Sequence, residues 1–192
     1  MCHKLLQDAR LYALLLKFDE DLAAEVRAAG CECGGRLDAG HYQRKPRGGP
    51  GGLGDEYDRR LSFCCAVDGC RTRRMPPSVR FLGHKVFFGA VVVLATAMQQ
   101  GATKQRASRL GRLLGVSRRT LARWRHWWAA TFRASRFWLS LRNRFIPAID
   151  EHALPLALLD RFEGDDERAR LALLLRLLRP ISTTPGLEAS AS

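Results

Sequence analysis

The stretch LGRLLGVSRRTLARWRH, residues 110–126, decides the fold of the central part of this chain. Gly111 is a small residue where two helices can touch, and Gly115 can take the positive φ of a tight turn. Ser117 can cap a second helix that begins at Arg118, because its hydroxyl can accept a hydrogen bond from the backbone. An apolar set is spaced to lock the two helices together: Leu110, Leu114, Val116, Leu121 and Trp124. The pattern predicts a helix-turn-helix in a three-helix, homeodomain-like domain.

The second helix of this pair is predicted to present a basic face. With Leu121 and Trp124 turned inward, helical geometry turns the opposite face outward. That face comprises Arg118, Arg119, Ala122, Arg123 and His126. Arginine in the major groove can bond bidentately to guanine, so we expect this face to contact DNA bases, chiefly through its arginines. The predicted phosphate contacts are Lys104, Arg106, Arg109, Arg112, Ser117 and Arg125.

Two features of this region allow other interpretations. The arginine-rich hairpin can instead pack on another protein and leave its basic faces solvated. The four tryptophans, Trp124, Trp127, Trp128 and Trp138, can serve as stacking platforms for single-stranded bases. We favour core packing for them, because Trp124 and Trp128 fall on the buried side of the helix.

The charge distribution points to a polyanionic partner. No aspartate or glutamate lies between Asp68 and Asp150, while these 81 positions hold 17 lysines and arginines. Both flanks are slightly acidic, with ten basic and eleven acidic residues up to Asp68, and five and eight from Asp150 onward. Like charges repel within a folded domain and are tolerated mainly where a partner neutralises them. We therefore expect double-stranded DNA as the partner.

The cysteines are spaced for a metal rather than for disulfides. The chain has six, and thiols in the cytosol are kept reduced. Five of them fall into two clusters, Cys31 with Cys33, and later Cys64, Cys65 and Cys70. Two such clusters are typical of a structural zinc site, in which each of two turns supplies two ligands.

Our choice of zinc ligands is Cys31, Cys33, Cys65 and Cys70. Cys65 is preferred to its neighbour because it shares one strand face with Leu61 and Phe63. Cys64 in place of Cys65 is an alternative, His41 is a weaker one, and unligated thiols on a hairpin are a third. Bound metal would stabilise this glycine-rich region, which has few large apolar residues for a core of its own.

These signals divide the chain into segments of a mainly α protein with a small β zinc ribbon. The predicted units are an N-terminal amphipathic helix (1–30), a zinc-ribbon-like module with a glycine-rich hairpin (31–77), a helix-turn-helix domain (78–147), C-terminal helices (148–180) and a disordered tail (181–192). The first segment is predicted as one helix, or as two if Asp19, Glu20 and Asp21 break it. The predicted strands are 36–42 and 59–65, and the later helices are 85–100, 104–114, 118–137 and 165–178.

Nothing in the sequence predicts export or membrane insertion. The first ten residues are polar and lead into an amphipathic stretch rather than a signal-like apolar one. The longest apolar run, 86–98, is well short of the roughly 20 residues that span a hydrocarbon core. We expect a cytoplasmic, nucleoid-associated protein without a membrane partner.

The order of these parts resembles a known group of proteins. A ribbon reading Cys-x-Cys-Gly-Gly-Arg-Leu (31–37), Phe-Cys-Cys (63–65) and Gly-Cys-Arg (69–71) is followed by Pro-Pro-Ser-Val-Arg-Phe-Leu-Gly (76–83) and then the helix-turn-helix. Over residues 30–130 this is similar to small proteins of bacterial insertion sequences and to the DNA-binding front ends of transposases. The resemblance implies binding to element ends or regulation of transposition, alongside a separate transposase.

The C-terminal part predicts no catalysis of its own. No well-separated carboxylates fall on strand-like segments after residue 130, so we expect no enzyme activity. An apolar stripe, Leu171, Leu173, Leu174, Leu175, Leu177 and Leu178, can form a homodimer or pack on its own domain. An RNA-binding or ribosome-associated module and a protein-interaction module remain alternatives, as does an enzyme that uses Asp150 or Glu151.

Overall fold

The computed structural model describes residues 2–83, 85–99, 104–164 and 166–183. Its architecture is mainly α-helical with a small antiparallel sheet, which confirms the predicted fold class at this level. The α-helices are α1 Cys2–Leu6, α2 Ala9–Ala29, α3 Asp55–Asp58, α4 Gly89–Ala97, α5 Lys104–Leu113, α6 Arg118–His126, α7 Arg136–Leu141, α8 Leu156–Leu159 and α9 Glu167–Leu178. The strands are β1 Leu37–Ala39, β2 Tyr42–Gln43, β3 Arg59–Arg60, β4 Phe63–Cys65 and β5 Arg73–Arg74.

The break in the N-terminal helix lies earlier than the acidic run predicts. Asp8 caps α2 by accepting a hydrogen bond from the Arg10 backbone at 2.9 Å. Asp19, by contrast, is buried in the middle of α2. The predicted break at residues 19–21 is therefore wrong, because the Asp19 carboxylate serves a tertiary contact instead of starting a new helix.

The strands form one interrupted antiparallel hairpin. β1 pairs with β4 with Leu37 opposite Cys65, and β2 pairs with β3 with Tyr42 opposite Arg60, so the register is the same on both sides of the interruption. Within the interruption the His41 ring nitrogen Nδ1 lies 3.1 Å from the Ser62 backbone nitrogen. The two predicted strands are each split in two here, because a side chain replaces part of the backbone ladder.

A third strand, β5, extends the sheet beyond the hairpin. It pairs with β4, with Phe63 opposite Arg74 and Cys64 opposite Arg73. Arg73 and Arg74, the two residues of β5, lack the alternation of apolar and polar side chains that predicts a strand from sequence. The edge of this sheet is therefore basic.

One apolar core runs through most of the chain. It includes Leu6 and Leu15 near the start and Leu178 and Ile181 near the end. Residues from the segments 1–30, 78–147 and 148–180 all contribute to this core. A smaller cluster holds the cysteine region and consists of Ala23, Cys31, Leu37, Phe63 and Cys65.

The tryptophans and the C-terminal stripe belong to the main core. All four tryptophans are buried, which confirms the core interpretation, and Trp138 is fully enclosed. In α9 the residues Leu171, Leu174, Leu175 and Leu178 are buried within the chain, while Leu173 and Leu177 are half-buried. Ile181 is 3% exposed in the short 3-10 helix Arg179–Ser182, so a disordered tail cannot begin there. Residues 184–192 lie outside the described part of the chain.

Helix bounds in the central region differ from prediction at two places. α4 begins at Gly89 instead of residue 85, because β-bridges pair Phe87 with Arg47 and Phe88 with Phe81 and keep this segment extended. α6 continues into a π-helix, Trp127–Phe132, and α7 then begins after the capping residue Ser135. The predicted helix over 118–137 is therefore three successive pieces.

A buried ion pair joins the helical core to the base of the hairpin. Arg80 Nε donates to Asp19 Oδ2 at 2.8 Å, and both side chains are shielded from solvent. The remaining guanidinium nitrogens donate to the backbone carbonyls of Glu56, Tyr57 and Arg59, at 2.8–3.1 Å. Arg80 thereby fixes α3 and β3 against α2.

None of the helices in the described residues combines the length and the apolar character needed to cross a membrane.

Candidate functional site

Four cysteine sulfurs come together at one end of the hairpin. The Sγ atoms of Cys31, Cys33, Cys65 and Cys70 all lie within 4.8 Å of one another. Two of the separations are 3.8 Å, Cys31 to Cys70, and 3.4 Å, Cys33 to Cys65. Thiolates in a tetrahedron at the usual zinc–sulfur distance of about 2.3 Å lie about 3.8 Å apart. The four predicted ligands are thus gathered at a spacing that can hold a metal ion.

Two different parts of the fold position these ligands. Cys31 directly follows α2, where a tight turn joins its backbone N–H to the carbonyl of Gly35 at 3.0 Å. Cys65 is the last residue of β4 and is fully buried. Cys70 lies in the turn after β4, where its N–H donates to the Val67 carbonyl at 3.2 Å. Because the two turns belong to distant parts of the sequence, a shared ion would cross-link them.

Cys64 and His41, the two alternative ligands, lie outside the cluster. Cys64 points away from the cluster, with its Sγ 3.3 Å from the space that a side chain on Gly40 would fill. The His41 ring is committed to Ser62 and packs edge-on against Phe63. Neither residue belongs to the metal-competent group found among the described residues. Cys64 is excluded by strand alternation, because successive residues of β4 point to opposite faces of the sheet and Cys65 points to the cluster.

Neighbouring groups set the protonation of the thiols. The Thr72 hydroxyl, 3.3 Å from Cys70 Sγ, and the Thr72 backbone lower the pKa of Cys70 to about 6. The Val67 N–H donates to Cys65 Sγ and lowers the pKa, but burial and the other thiols outweigh it and raise the pKa of Cys65 to about 12. Since the thiolate is the metal ligand, the lowered pKa of Cys70 favours metal binding by this residue.

The pair α5 and α6 has the turn geometry that its sequence predicts. A Cβ on Gly111 would meet the backbone oxygen of Val116 at 2.8 Å, so the turn passes over α5 where only glycine fits, and the Leu121 side chain of α6 would lie 3.4 Å from the same Cβ. Gly115 has φ +61° in the turn. Ser117 caps α6 by accepting a hydrogen bond from the Thr120 N–H at 3.1 Å.

The predicted inner and outer faces of α6 are confirmed. Of the apolar set, Leu114, Val116, Leu121 and Trp124 are buried, and the side chain of Leu110 lies outside the description. The predicted base-contacting residues Arg118, Arg119, Ala122, Arg123 and His126 are all exposed. Among the predicted phosphate contacts Arg109, Arg112, Ser117 and Arg125 are exposed, while the side chains of Lys104 and Arg106 lie outside the described part.

The arginines of α6 hydrogen-bond to neutral side chains. Arg118 donates to Ser108 at 3.1 Å and Arg123 to Thr120 at 3.3 Å, and both acceptors are neutral hydroxyls. In the described ranges no carboxylate lies within 4.0 Å of a guanidinium group of α6. The helix therefore presents four positive charges that are open to an external anion.

Two grooves flank α6 that sequence reasoning did not anticipate. On one side the segment 85–87 faces α6, with the Phe87 ring 5.1 Å from the Trp124 ring, centroid to centroid. On the other side Gln99, Glu151 and His152 face the Ala122 side of the helix. Both walls come from segments distant in sequence, and no periodic pattern places them beside α6.

Glu151, which lines the second of these grooves, is held in place by structural hydrogen bonds. Its carboxylate accepts hydrogen bonds from Trp138 Nε1 at 2.9 Å and from Arg133 Nε at 3.0 Å. The Trp138 hydrogen bond is the largest of the influences that lower the pKa of Glu151. Asp150 caps the following 3-10 helix by accepting from the His152 N–H. These two carboxylates are thus engaged in local contacts.

Comparisons with family models, with curated proteins and with solved structures find no match to this chain.

Proposed function

We propose that this chain is a sequence-directed double-stranded DNA-binding protein in which α5 and α6 form a helix-turn-helix. The observation that carries the proposal is the face of α6, where Arg118, Arg119 and Arg123 are exposed, lack carboxylate partners within the described residues and lie opposite the buried Leu121 and Trp124. A duplex groove supplies the negative charge and the hydrogen-bond acceptors that such a face lacks.

The proposal assigns distinct tasks to the two sets of residues. Arg118, Arg119 and Arg123, with Ala122 and His126, face the bases, and each good bidentate pair with guanine discriminates by about 1–3 kcal/mol. Lys104, Arg106, Arg109, Arg112, Ser117 and Arg125 hold the phosphates. If about six phosphates are neutralised, the log of the binding constant falls with the log of the salt concentration at a slope near −5.

The four-cysteine cluster is proposed to hold a structural zinc ion in a zinc-ribbon-like module. The supporting facts are four cysteine sulfurs within 4.8 Å of one another and the small apolar cluster around them. A structural ion in such a site supplies folding energy by joining two turns. Purified protein should contain one zinc per chain, and Cys65→Ser should lose it while Cys64→Ser keeps it. Equal zinc content in both variants would exclude this ligand set.

The biological role that we infer is that of an accessory or regulatory protein of transposition. The support is the resemblance of residues 30–130 to proteins of insertion sequences, together with a site built for binding. In this role the chain binds element ends in the cytoplasm, associated with the nucleoid, and a separate transposase performs the catalysis.

The decisive experiment is selection of bound sequences from a pool of random duplexes. Wild-type protein should enrich one motif, and Arg119→Ala should lose enrichment at one or two positions of it. Lys17→Ala, an exposed change on α2, serves as the matched control and should select the wild-type motif. Without an enriched motif, sequence-directed recognition is refuted. Tighter binding to structured RNA than to duplex DNA would favour the RNA-binding alternative.

A further inference from the structure

The basic loop that follows β2 is docked beside the helical core. Arg44 Nη1 donates to the Gly83 carbonyl at 2.9 Å, and Arg44 Nη2 donates to the Lys85 carbonyl at 3.1 Å. The same guanidinium lies 5.2 Å from the centre of the Phe81 ring. Arg44 therefore anchors the loop and is engaged in internal contacts.

Backbone pairing holds the next part of the loop in place. The Arg47 N–H donates to the Val86 carbonyl at 2.9 Å, and the Phe88 N–H donates to the Arg47 carbonyl at 3.2 Å. Gly49 lies so close to the Phe88 ring that an added Cβ would be 2.7 Å from it. Residues 44–49 and 85–88 thus form one built unit, which we call the wing.

The wing borders the exposed side of α6. The contact between Phe87 and Trp124 joins the two, and a groove runs between them. The groove is lined by Lys85, Val86 and Phe87 of the wing and by Thr120, Arg123 and Trp124 of the helix. A polyanion seated on α6 would therefore pass along the wing.

The basic side chains Lys45 and Arg47 of the wing differ in whether an acidic residue lies near them. Burial raises the pKa of Asp58, and the nearby Lys45 acts in the opposite direction, so Lys45 already has an acidic neighbour. Arg47 is exposed, and within the described parts of the chain its guanidinium has no carboxylate within 4.0 Å. Among the described residues, the hydrogen bonds of Arg47 are made by its backbone. Arg47 is thus the cation of the loop best suited to an external ligand.

We propose that the wing is a second DNA contact, in which Arg47 binds a backbone phosphate next to the major groove that α6 occupies. This inference rests on the proposed function and adds to it the side of α6 on which the flanking DNA lies. On the opposite flank of α6 the groove is lined by Glu151, whose carboxylate is already paired with Arg133 and Arg142. The exposed Arg47 places a flanking stretch of the DNA backbone on the wing side, so the footprint extends there beyond the bases that α6 reads.

The test measures the affinity for a fluorescein-labelled duplex of mixed sequence by anisotropy at several salt concentrations. Arg47→Ala should weaken binding several-fold and reduce the salt slope by about 1, since one phosphate contact is lost. Arg47→Lys keeps the charge and should keep the wild-type slope. Lys17→Ala, which also removes one exposed charge but on α2, should leave the slope unchanged.

The outcomes separate this inference from the proposed function. If the wild type binds the duplex and Arg119→Ala weakens binding, but Arg47→Ala behaves like Lys17→Ala, the wing contact is refuted and α6 recognition stands. A wild type that fails to bind the duplex refutes both. Loss of slope in Arg47→Lys would also overturn the inference, because the proposed contact depends on charge. Equal melting temperatures of the variants confirm that the comparison is between folded proteins.

Discussion

Replacement of Asp19 by asparagine tests whether one buried ion pair holds the hairpin against the helical core. Asp19 is 1% exposed and its partner Arg80 is 0% exposed. Asp19 Oδ2 accepts from Arg80 Nε at 2.8 Å and from the Ser78 hydroxyl at 2.6 Å, while Oδ1 accepts from the Val79 N–H at 2.7 Å. The asparagine side chain would fill the same space but leave the Arg80 charge without a counterion.

The expected loss is large relative to the stability of a domain. Removal of one partner from a buried ion pair costs about 3–5 kcal/mol, because the remaining charge stays desolvated. Three backbone carbonyls still accept from Arg80, so the lower part of this range applies. A loss of about 3 kcal/mol is a large fraction of the roughly 5–15 kcal/mol by which domains are stable.

The assay is urea unfolding followed by fluorescence of the buried tryptophans. Arg142→Met is the matched control, since its pair with Glu151 is 3.4 Å long and its side chain is 46% exposed. Such exposed pairs contribute about 0–1 kcal/mol. If Asp19→Asn costs no more free energy of unfolding than this control, the reasoning about the buried pair is refuted.

Three further predictions concern the α5–α6 pair and its surroundings. Gly111→Ala should cost about 1–3 kcal/mol in urea unfolding, because its Cβ would meet the Val116 oxygen at 2.8 Å and push the turn away from α5; an unchanged midpoint would contradict this contact. Ser117→Ala removes the N-cap of α6 and should cost about 1 kcal/mol in the same assay, whereas Ser117→Asp should restore most of it. Glu151 has a lowered pKa, chiefly through its hydrogen bond from Trp138, so it stabilises the fold above its unfolded pKa of about 4.3 and loses this effect as the pH falls through the folded pKa. The stability difference between wild type and Glu151→Gln should therefore shrink in acid, and a difference that grows there would reverse the assigned sign.

The parts of the site that could be predicted are those encoded by neighbouring residues. The turn of the helix pair depends on Gly111, Gly115 and Ser117, and each acts on backbone atoms a few residues away. The choice of Cys65 over Cys64 follows from strand alternation, which is also a local rule. These local preferences agree with the tertiary contacts of the fold, so the structure keeps the conformations that the sequence predicts.

The parts that escaped prediction depend on contacts between distant residues. Asp19 has the sequence signature of a helix breaker, yet it pairs with Arg80, 61 positions away, and so stays inside α2. The start of α4 is delayed because Arg47 bridges Phe87. Neither contact produces a periodic pattern in the sequence. These features of the fold therefore could not be predicted from the sequence.

The same long-range pairing separates the arginines of the acid-free central segment into two populations. Acidic residues of the flanks, or at its borders, neutralise several of them through the pairs Arg71–Asp68, Arg74–Glu32, Arg80–Asp19, Arg133–Glu151 and Arg142–Glu151. In the part of the chain that the structure describes, the α6 arginines have no such partner. Within the described residues, the carboxylates that form these pairs bind arginines outside α6. This pairing leaves a site where the repulsion between Arg118, Arg119, Arg123 and Arg125 costs stability, and a bound polyanion would relieve that cost.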